Sequence, residues 1–393
     1  MSARTPLRST VADIDLDSLV ANFNALRACG KGEVIAVVKA DGYGHGVEGV
    51  APVLVEAGAA MLAVATVEEA LVLRATGVGA PILVFLGASD RDEAQAAVAA
   101  RCTLVVWDLE NARLVDDVAA AARTRAAVHF KVDTGLTRLG APLEDAVARY
   151  RAVRELTHLT VDGLFTHFAT ADDPELGVAR DQVKRFTDVL GQIGEPPRLV
   201  HAAASAGVAS FGAIPGCTAI RPGVSLFGFY SAPHQSSAFG TYALRPALSW
   251  RSRVRRVMSA KMGTGVSYGH EYHLPRDGRI ATVPVGYGDG LPRAFGRKGR
   301  LLVGGRALPF AGRVCMDLVM LDVTDLPDVR ENDEVTIIGA QGGAAQTADD
   351  IAGVLGTISY EITTGLRRRV PRRYLRGGRV VATRTLADGY MKV

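Results

Sequence analysis

EVIAVVKADGYGHG occupies residues 33–46 and distinguishes between two parallel-sheet folds that could suit this chain. Its first half is a short apolar run, which is typical of a buried strand, and a glycine-rich loop follows it. An open doubly wound sheet typically carries G-x-G-x-x-G after its first strand, and KADGYGHG does not match that pattern. The segment therefore favours a closed barrel for the first part of the chain.

Seven more apolar runs follow this one, and segments with helical spacing separate them. The eight runs span residues 33–40, 61–66, 81–87, 102–108, 126–133, 161–169, 198–205 and 218–226. Helices are expected at 67–76, 109–122, 143–157 and 175–190. Strands that alternate with helices form right-handed βαβ units and a parallel sheet. Eight such units predict a (β/α)8 TIM-type barrel, which we assign to residues 1–240.

Beyond residue 240 the pattern changes to alternating strands that are separated by glycine-rich turns. The strand patterns span residues 249–260, 279–287, 313–323 and 333–340, and one late helix is expected from 349–356 onward. No repeat of fixed period runs through this part of the chain. Residues 241–393 are therefore predicted to form a mainly β C-terminal domain.

The composition is that of a folded globular protein and gives little indication of a nucleic acid or membrane partner. Hydrophobic residues make up 48% of the 393 residues and charged residues 22%, which excludes a disordered chain. The net charge of +4 is too small to indicate either partner. The arginine-rich runs 251–256 and 367–373 could bind nucleic acid, but no stacking aromatic residues interleave with their arginines. We therefore expect no nucleic acid and no membrane partner.

The cysteines and the N-terminal segment favour a cytoplasmic location. The four cysteines are far apart and lack C-x-x-C spacing, so we expect no metal site and no disulfide framework. That usage suits a reducing cytosol. The first 17 residues lack the apolar core of a signal peptide. The uncharged stretch 199–220 contains His201 and Pro215, and it predicts strand and loop rather than a membrane span.

Lys39 is the first candidate for chemistry, because it ends the first predicted strand. Ile35, Val37 and Lys39 share one face of that strand by its two-residue period. Barrels of this type carry their active sites at the C-terminal ends of the strands. A lysine that is desolvated there becomes a nucleophile toward aldehydes, because its pKa falls. The alternative is a lysine that simply reaches water from a strand end.

The segment AAVHFKVDTGLTRLG (126–140) places a second polar group at the barrel. His129, Lys131 and Asp133 alternate with apolar residues, so the apolar face suits helix packing and the polar face points into the barrel. Buried charges must be paired or used, and Arg138 can reach the same mouth. A structural ion cluster remains the alternative for this segment.

Three further candidates follow later strands. His167 lies at a strand end, although a hydrogen-bonded core histidine is the simpler explanation. Ser205 begins a predicted helix, where it either helps to bind phosphate or caps the helix. Arg221 closes the eighth unit and precedes Gly223 and Val224, and the loops after the seventh and eighth strands commonly bind phosphate in such barrels.

Taken together, segments along the whole chain resemble the alanine racemase family, whose members combine a barrel that binds pyridoxal 5′-phosphate (PLP) with a β domain. The family's cofactor-lysine signature is matched by AVVKADGYGHG at 36–46. Other segments match in the expected order: KVDTGLTRLG (131–140), THFATAD (166–172), RPGVSLFG (221–228), GVSYG (265–269), VGYGDG (285–290), GRVCMD (312–317) and SYEI (359–362). The resemblance therefore covers both predicted domains.

The resemblance implies a PLP-dependent racemase that interconverts L- and D-alanine and supplies D-alanine for peptidoglycan. It implies that Lys39 holds PLP as a Schiff base and is one catalytic base. Tyr268 matches the second base, which the other subunit of a homodimer contributes. Arg221 matches the partner of the pyridine nitrogen, and His167 matches the residue that links Arg221 toward Tyr268.

The remaining matched positions line the same site. Those that match phosphate contacts are Tyr43, Ser205, Gly223, Val224 and Tyr360. Arg138 and Met316 match contacts to the substrate carboxylate, and Lys131 matches a lysine that is carbamylated in many members. The positions that match the access channel are Asp172, Arg293 and Arg313.

This chain departs from the family pattern at three positions, and two other functions stay open. Ala204 and Phe227 replace the usual Asn and Tyr, which affects the phosphate pocket, and Leu136 replaces a Met near Arg138. A decarboxylase or a broader racemase of the same architecture is one alternative. A decarboxylase should lack Tyr268, and the bulk of Tyr360 and Met316 favours a small substrate. A non-catalytic PLP-binding barrel, the other alternative, should lack residues 241–393.

Overall fold

The computed structural model describes residues 6–240 and 243–393, which fall into two compact units. The barrel unit comprises the described residues of Ser18–Gly42 and Val50–Arg245. The β unit comprises the described residues up to Asp17, together with Tyr43–Gly49 and Pro246–Val393.

The first strand of the chain, β1 (Val11–Asp15), lies in the β unit, and the next eight strands close a parallel barrel. The barrel strands are β2 (Glu33–Val37), β3 (Met61–Val64), β4 (Ile82–Val84), β5 (Thr103–Val106), β6 (Ala126–Lys131), β7 (Leu159–Phe165), β8 (Leu199–His201) and β9 (Ala219–Ile220). Each overlaps one predicted apolar run, because parallel strands are buried on both faces and therefore read as continuous apolar segments. The predicted TIM-type barrel is confirmed.

Helices alternate with these strands along the chain. They are α1 (Leu16–Gly30), α2 (Lys39–Tyr43), α3 (Val47–Glu56), α4 (Val67–Ala75), α5 (Arg91–Ala99), α6 (Leu109–Ala121), α7 (Leu143–Arg154), α8 (Gly177–Ile193) and α9 (Ser205–Phe211). Several begin at a side-chain cap: Thr66 caps α4, Asp90 caps α5 and Asp108 caps α6. Within residues 6–240 and 243–393, no helix is both long and apolar enough to cross a membrane.

The β unit is built from three sheets and two helices. Its strands are β10 (Leu248–Arg253), β11 (Arg256–Ala260), β12 (Gly265–Val266), β13 (Tyr272–His273), β14 (Gly278–Val283), β15 (Arg300–Val303), β16 (Arg306–Pro309), β17 (Val319–Asp322), β18 (Glu334–Gln341), β19 (Ala344–Gln346), β20 (Arg372–Arg376), β21 (Arg379–Thr385) and β22 (Gly389–Lys392). The largest sheet has the order β16-β15-β18-β10-β1-β20-β21-β22, and β19 pairs with β18. The smaller sheets are β11-β14-β17 and β12-β13. Helices α10 (Ala348–Leu355) and α11 (Ser359–Thr364) cover the late helical prediction.

Several segments differ from the sequence predictions. The predicted strand 249–260 is two strands in different sheets, the predicted strand 279–287 ends at Val283, and the late helix is two helices.

Two further differences concern residues 1–17 and 313–323. The division at residue 240 assigned residues 1–17 to the barrel domain, whereas β1 is an inner strand of the largest sheet. It pairs antiparallel with β10 and parallel with β20, so Ala12 faces Trp250 on one side and Arg372 on the other. Within the predicted strand 313–323, only Val319–Asp322 pairs with β14, and residues 313–318 form a loop. In both segments, strand pairing with residues far away in the sequence determines where the strand lies and where it ends. A local apolar pattern does not predict such pairing.

Two arginines of the run 367–373, Arg372 and Arg373, bind partners inside the β unit. Arg372 is fully buried, and its guanidinium donates to the carbonyl oxygens of Gly44 at 2.9 Å and Leu366 at 2.8 Å. Arg373 forms a bidentate ion pair with Asp13 at 2.6 and 2.8 Å. These side chains therefore hold the strands of the largest sheet and the segment around Gly44 in place.

Candidate active site

Lys39 lies at the carboxyl end of the barrel strands, where it begins α2 rather than ending β2, which stops at Val37. Burial lowers the pKa of its amine, and the positive charges of Arg138 and Arg221 lower it further. The carboxylate of Glu69 acts in the opposite direction. A lysine whose ammonium form is disfavoured has more neutral amine available, and neutral amine is the form that attacks carbonyl groups.

The backbone turns sharply immediately after Lys39. Ala40, Asp41, Gly42 and Tyr43 have φ values of 51°, 57°, 62° and 52°, so α2 is a left-handed turn. Three of these four residues have a side chain that disfavours this conformation. The hydrogen bonds of the turn include one from the Gly42 N–H to the Val38 carbonyl at 2.9 Å and one from the Ala40 N–H to Glu69 Oε1 at 2.6 Å.

Lys131 is the last residue of β6 and lies inside the barrel. Its ammonium nitrogen is 5.7 Å from the centroid of the Phe165 ring, and the residue is 6% exposed. Burial, followed by the charges of Arg138 and Arg221, lowers the pKa of Lys131 to about 8, although Asp133 acts against them. An amine with this pKa carries an appreciable neutral fraction near neutral pH.

Asp133 shapes the loop that carries Arg138. Its Oδ1 accepts hydrogen bonds from the N–H groups of Gly135 and Leu136 at 2.9 Å and of Thr137 at 3.2 Å. Burial alone would raise the pKa of Asp133, but these backbone bonds outweigh it and the net pKa is lowered. Asp133 therefore serves the backbone of its own loop, and Arg138 itself is exposed.

Arg221 follows β9, and its buried guanidinium connects two histidines. Nη1 lies 2.7 Å from His201 Nδ1, and Nη2 lies 2.9 Å from both His167 Nδ1 and the Thr166 carbonyl oxygen. Arginine can only donate hydrogen bonds, so both Nδ1 atoms must accept. It follows that neutral His167 and neutral His201 each carry their proton on Nε2.

The same argument extends one ring deeper into the barrel. His201 Nε2 lies 2.9 Å from His129 Nδ1, so His201 donates and His129 accepts. The remaining His129 proton is then on Nε2, which finds no hydrogen-bond partner in the described part of the chain. Burial lowers the pKa of His129 to about 3. Burial and then Arg221 hold the pKa of His201 and of His167 well below the ordinary value. All three rings are therefore neutral near neutral pH.

Ser205 organises the loop after β9. It is the first residue of α9, and its Oγ accepts the N–H groups of Gly223 at 2.9 Å and Ser225 at 3.2 Å. The N-cap of α9 is Ala204, which has no capping side chain, so Ser205 does not act as the cap. Val224 is buried beside this loop. Ser205, Gly223 and Val224 are thus brought together at the carboxyl ends of β8 and β9.

Tyr43 and Tyr360 meet within the β unit. Their ring centroids lie 6.0 Å apart, and Tyr43 is buried. The adjacent Gly44 has φ +82°, and a Cβ there would lie 1.9 Å from the carbonyl oxygen of Thr363 on α11. Only glycine allows the segment after α2 to approach α11 this closely.

Tyr268 and Met316 share a concave surface of the β unit. They line a cavity of about 460 Å³ together with Cys315 and Leu318. Tyr268 is 70% exposed and Met316 is 52% exposed. Of the residues matched to the access channel, Arg313 is bonded to Glu271 in this unit, Arg293 is an exposed residue of the same unit, and Asp172 is exposed in the barrel unit.

Three residues of the site were not found from the sequence. Glu69 had a detectable signal, because T-x-x-E at 66–69 is a capping box. His201 had none beyond its place in a strand. Gln182 is buried on α8; its Nε2 donates to Thr134 Oγ1 and its Oε1 accepts the Ala169 N–H, which joins the loops after β6 and β7.

Known proteins share the fold of this chain and resemble its sequence over nearly the whole length. The family profiles described as alanine racemase, N-terminal domain, and alanine racemase, C-terminal domain, match residues 14–231 and 247–374. An alanine racemase of Desulfosudis oleivorans is 41% identical over 383 residues, which covers 94% of this chain and 97% of that protein.

Two solved structures show the same relationship. The Bacillus anthracis alanine racemase with bound L-Ala-P has a TM-score of 0.89 at 34% identity and covers 97% of this chain and 99% of its own. A histidine racemase of Leuconostoc mesenteroides subsp. sake has a TM-score of 0.86 at 30% identity, with coverage of 95% and 100%. The chain therefore belongs to the alanine racemase family and is an amino-acid racemase.

Proposed function

We propose that this racemase interconverts L- and D-alanine with PLP as its cofactor. The observation that carries the proposal is the group of Lys39, Lys131, Arg138 and Arg221 at the carboxyl end of the barrel, where burial and mutual repulsion lower the pKa of both lysines. Relatives named alanine racemase, matched over nearly the whole chain, support alanine as the substrate.

The residues fit PLP. The positive charge of this group suits a ligand that carries a phosphate and a substrate that carries a carboxylate, and the lowered pKa of Lys39 suits a bond to an aldehyde. We propose that Ser205, Gly223 and Val224 hold the phosphate, and the resemblance to the family implies the same role for Tyr43 and Tyr360. Arg221 can only donate, so it suits an unprotonated pyridine nitrogen. When bound, the cofactor supplies an electron sink for the negative charge that develops at Cα.

Racemisation moves a proton from one face of Cα to the other, so two groups must act from opposite faces. In the proposal, Lys39 holds the cofactor and exchanges the proton at Nζ on one face. Tyr268 of a second subunit exchanges it at the phenol oxygen on the other face. The exposure of Tyr268 and Met316 on an apolar concave surface supports a homodimer in which a second copy covers them.

Arg138 and Met316 are proposed to contact the substrate carboxylate, and Lys131 to become carbamylated. In that step the neutral Lys131 amine forms a bond to CO2 and releases a proton, which replaces a cation beside Arg138 with an anion. The lowered pKa of Lys131 supports the step, since only the neutral amine reacts. The D-alanine formed is proposed to supply peptidoglycan synthesis, which growth of a D-alanine-requiring bacterium that carries this chain would test.

The experiment is racemisation together with reductive labelling. The PLP-loaded protein should convert either alanine enantiomer to the racemate, and borohydride should attach the cofactor to the peptide that contains Lys39. Lys39→Ala should lose at least about a thousandfold in activity, because one base and the cofactor bond are both removed. Lys184→Ala, a change of an exposed lysine on α8, should match wild type. Labelling of another lysine would contradict the assignment of Lys39, and faster turnover of histidine or serine would contradict the proposed substrate.

A further inference from the structure

Glu69 joins two barrel segments through its two carboxylate oxygens. Its Oε1 accepts the N–H of Ala40 at 2.6 Å, and its Oε2 accepts the N–H of Ala65 at 2.7 Å. Ala40 is the residue after Lys39, and Ala65 precedes the N-cap of α4. One side chain therefore ties the start of the left-handed turn to the end of the neighbouring strand.

Helix capping accounts for the position of Oε2, which also accepts the N–H of the N-cap Thr66 at 3.4 Å, but it does not account for the contact with Ala40. Glu93 occupies the same third position of α5, after the cap Asp90, and its carboxylate bonds the N–H and hydroxyl of Ser89 at 2.8 and 2.9 Å. Those contacts stay within five residues of chain. The Oε1 of Glu69, in contrast, reaches an N–H that is 29 residues away in sequence. Glu69 thus serves Ala40 as well as its own helix.

The Ala40 contact lies where the backbone most needs support. Ala40 has φ 51°, and the next three residues are also left-handed. A non-glycine residue stays in this conformation only where its surroundings enforce it. Hydrogen bonds to a carboxylate are shorter and stronger than bonds between neutral groups. The Glu69 carboxylate therefore helps to fix the direction in which the chain leaves Lys39.

Glu69 also adds negative charge to a positive surrounding. Arg138 and Arg221 disfavour the ammonium form of Lys39, and Glu69 is the group that favours it. Both oxygens of Glu69 are already bonded to backbone N–H groups, so its carboxylate is held in a fixed place relative to the barrel strands.

We propose that Glu69 is a positioning residue for Lys39, since it holds the left-handed turn and supplies the fixed negative charge that offsets Arg138 and Arg221. This inference rests on the proposed function of Lys39 as the cofactor lysine.

Glu69→Gln is the test variant, because glutamine keeps the shape but has one acceptor oxygen. Its NH2 group must then face the N–H of either Ala40 or Ala65, donor against donor. In the cofactor-free protein, acetylation of Lys39 by acetic anhydride is followed by mass spectrometry across pH. The pH midpoint of Lys39 acetylation should fall by about half a pH unit or more relative to wild type, because the negative charge that favours the ammonium form of Lys39 is lost. Affinity for PLP should fall roughly tenfold, because the turn is less well held.

Two matched controls distinguish the positioning role of Glu69 from the general loss of a negative charge and from the loss of a helix-capping contact. Glu68→Gln removes an exposed charge one residue away and should leave the Lys39 midpoint and PLP affinity at wild-type values. Glu93→Gln removes the equivalent capping contact on α5 and should lower only thermal stability. If Glu69→Gln leaves both Lys39 readouts unchanged, or if Glu93→Gln changes them equally, the proposal is wrong.

A second variant covers the case in which Glu69→Gln does not fold. Glu69→Asp keeps the charge but is too short to reach both N–H groups. It should keep the Lys39 midpoint near wild type while PLP affinity falls, and unchanged PLP affinity would overturn the positioning role. The acetylation readout uses neither cofactor nor substrate, so it stands even if the protein does not racemise alanine.

Discussion

At the scale of single residues, Arg221 fixes which ring nitrogen of His167 and of His201 carries the proton, and it lowers the pKa of both rings. His167 is held neutral by burial and then by the charges of Arg221 and Arg138, which keep its pKa well below the ordinary value. Replacing Arg221 with Leu removes one of these charges while the ring stays buried. The pKa of His167 should therefore rise.

This shift can be measured by 15N NMR of histidine-labelled protein between pH 5 and 8. Wild-type His167 should stay neutral with its proton on Nε2 over that range, and in Arg221→Leu it should begin to titrate toward the acid end. Arg151→Leu, a change of an exposed arginine on α7, should leave the wild-type behaviour unchanged. A wild-type His167 that is already protonated at pH 6 would contradict the hydrogen-bond directions derived from Arg221.

Some residues of the candidate site could be predicted from the sequence, and others could not. Lys39, Lys131 and Arg221 could be found because a strand period and a strand end can be read locally. Glu69 and His201 could not be assigned a role in that way. Their partners Ala40 and His129 lie 29 and 72 residues away, and the barrel alone brings them together.

At the scale of elements, the pairing of β6 with β7 depends on Gly163. The register between these strands shifts at Val128/His129, and a Cβ on Gly163 would lie 2.4 Å from the His129 ring. That ring is fully buried and bonded to His201, so it cannot move aside. Gly163→Ala should therefore lower the free energy of unfolding by about 1–3 kcal/mol, as overpacked cores do.

Denaturant unfolding of the cofactor-free protein measures this change, and α8 offers a matched control. Gly191 has open space where its Cβ would be, and it lies in the last turn of the helix. Gly191→Ala should raise the free energy of unfolding by up to about 1 kcal/mol, because alanine favours the helix. If both variants changed stability in the same direction, the contact between Gly163 and His129 would not be the cause.

Elements differ in how well their sequence predicts them. The eight barrel strands could be predicted because burial on both faces leaves continuous apolar runs. The left-handed turn α2 could not, since Ala40, Asp41 and Tyr43 have no intrinsic preference for positive φ. The hydrogen bond from Ala40 to Glu69 supports that conformation, and its partners lie 29 residues apart in the sequence.

At the scale of the whole molecule, chain order and spatial grouping diverge. The β unit takes β1 from the start of the chain, and it takes Tyr43–Gly49, which runs from the end of α2 to the first residues of α3. Asp13, in β1, forms an ion pair with Arg373. The carbonyl of Gly44, in the second segment, accepts a hydrogen bond from Arg372. A boundary drawn from composition near residue 240 marks where the sequence pattern changes. It does not show that two earlier segments pack with the residues that follow the boundary.

The proposed dimer leads to a prediction about mixed subunits. If each site combines Lys39 of one chain with Tyr268 of the other, Lys39→Ala and Tyr268→Phe should each be nearly inactive as homodimers. When the two variants are mixed and allowed to exchange, half of the dimers are mixed, and each mixed dimer has one site with both groups intact. Activity should therefore recover to about a quarter of wild type.

Native mass spectrometry must first show that mixed dimers form. The matched control mixes Lys39→Ala with the double variant Lys39→Ala/Tyr268→Phe, in which every site lacks Lys39, and it should stay inactive. The exposure of Tyr268 on the apolar surface beside Met316 is the physical reason to expect that a second copy seats there. Mixed dimers that form but remain inactive would mean that the two groups act within one chain, and an active Tyr268→Phe homodimer would mean that Tyr268 is not the second base.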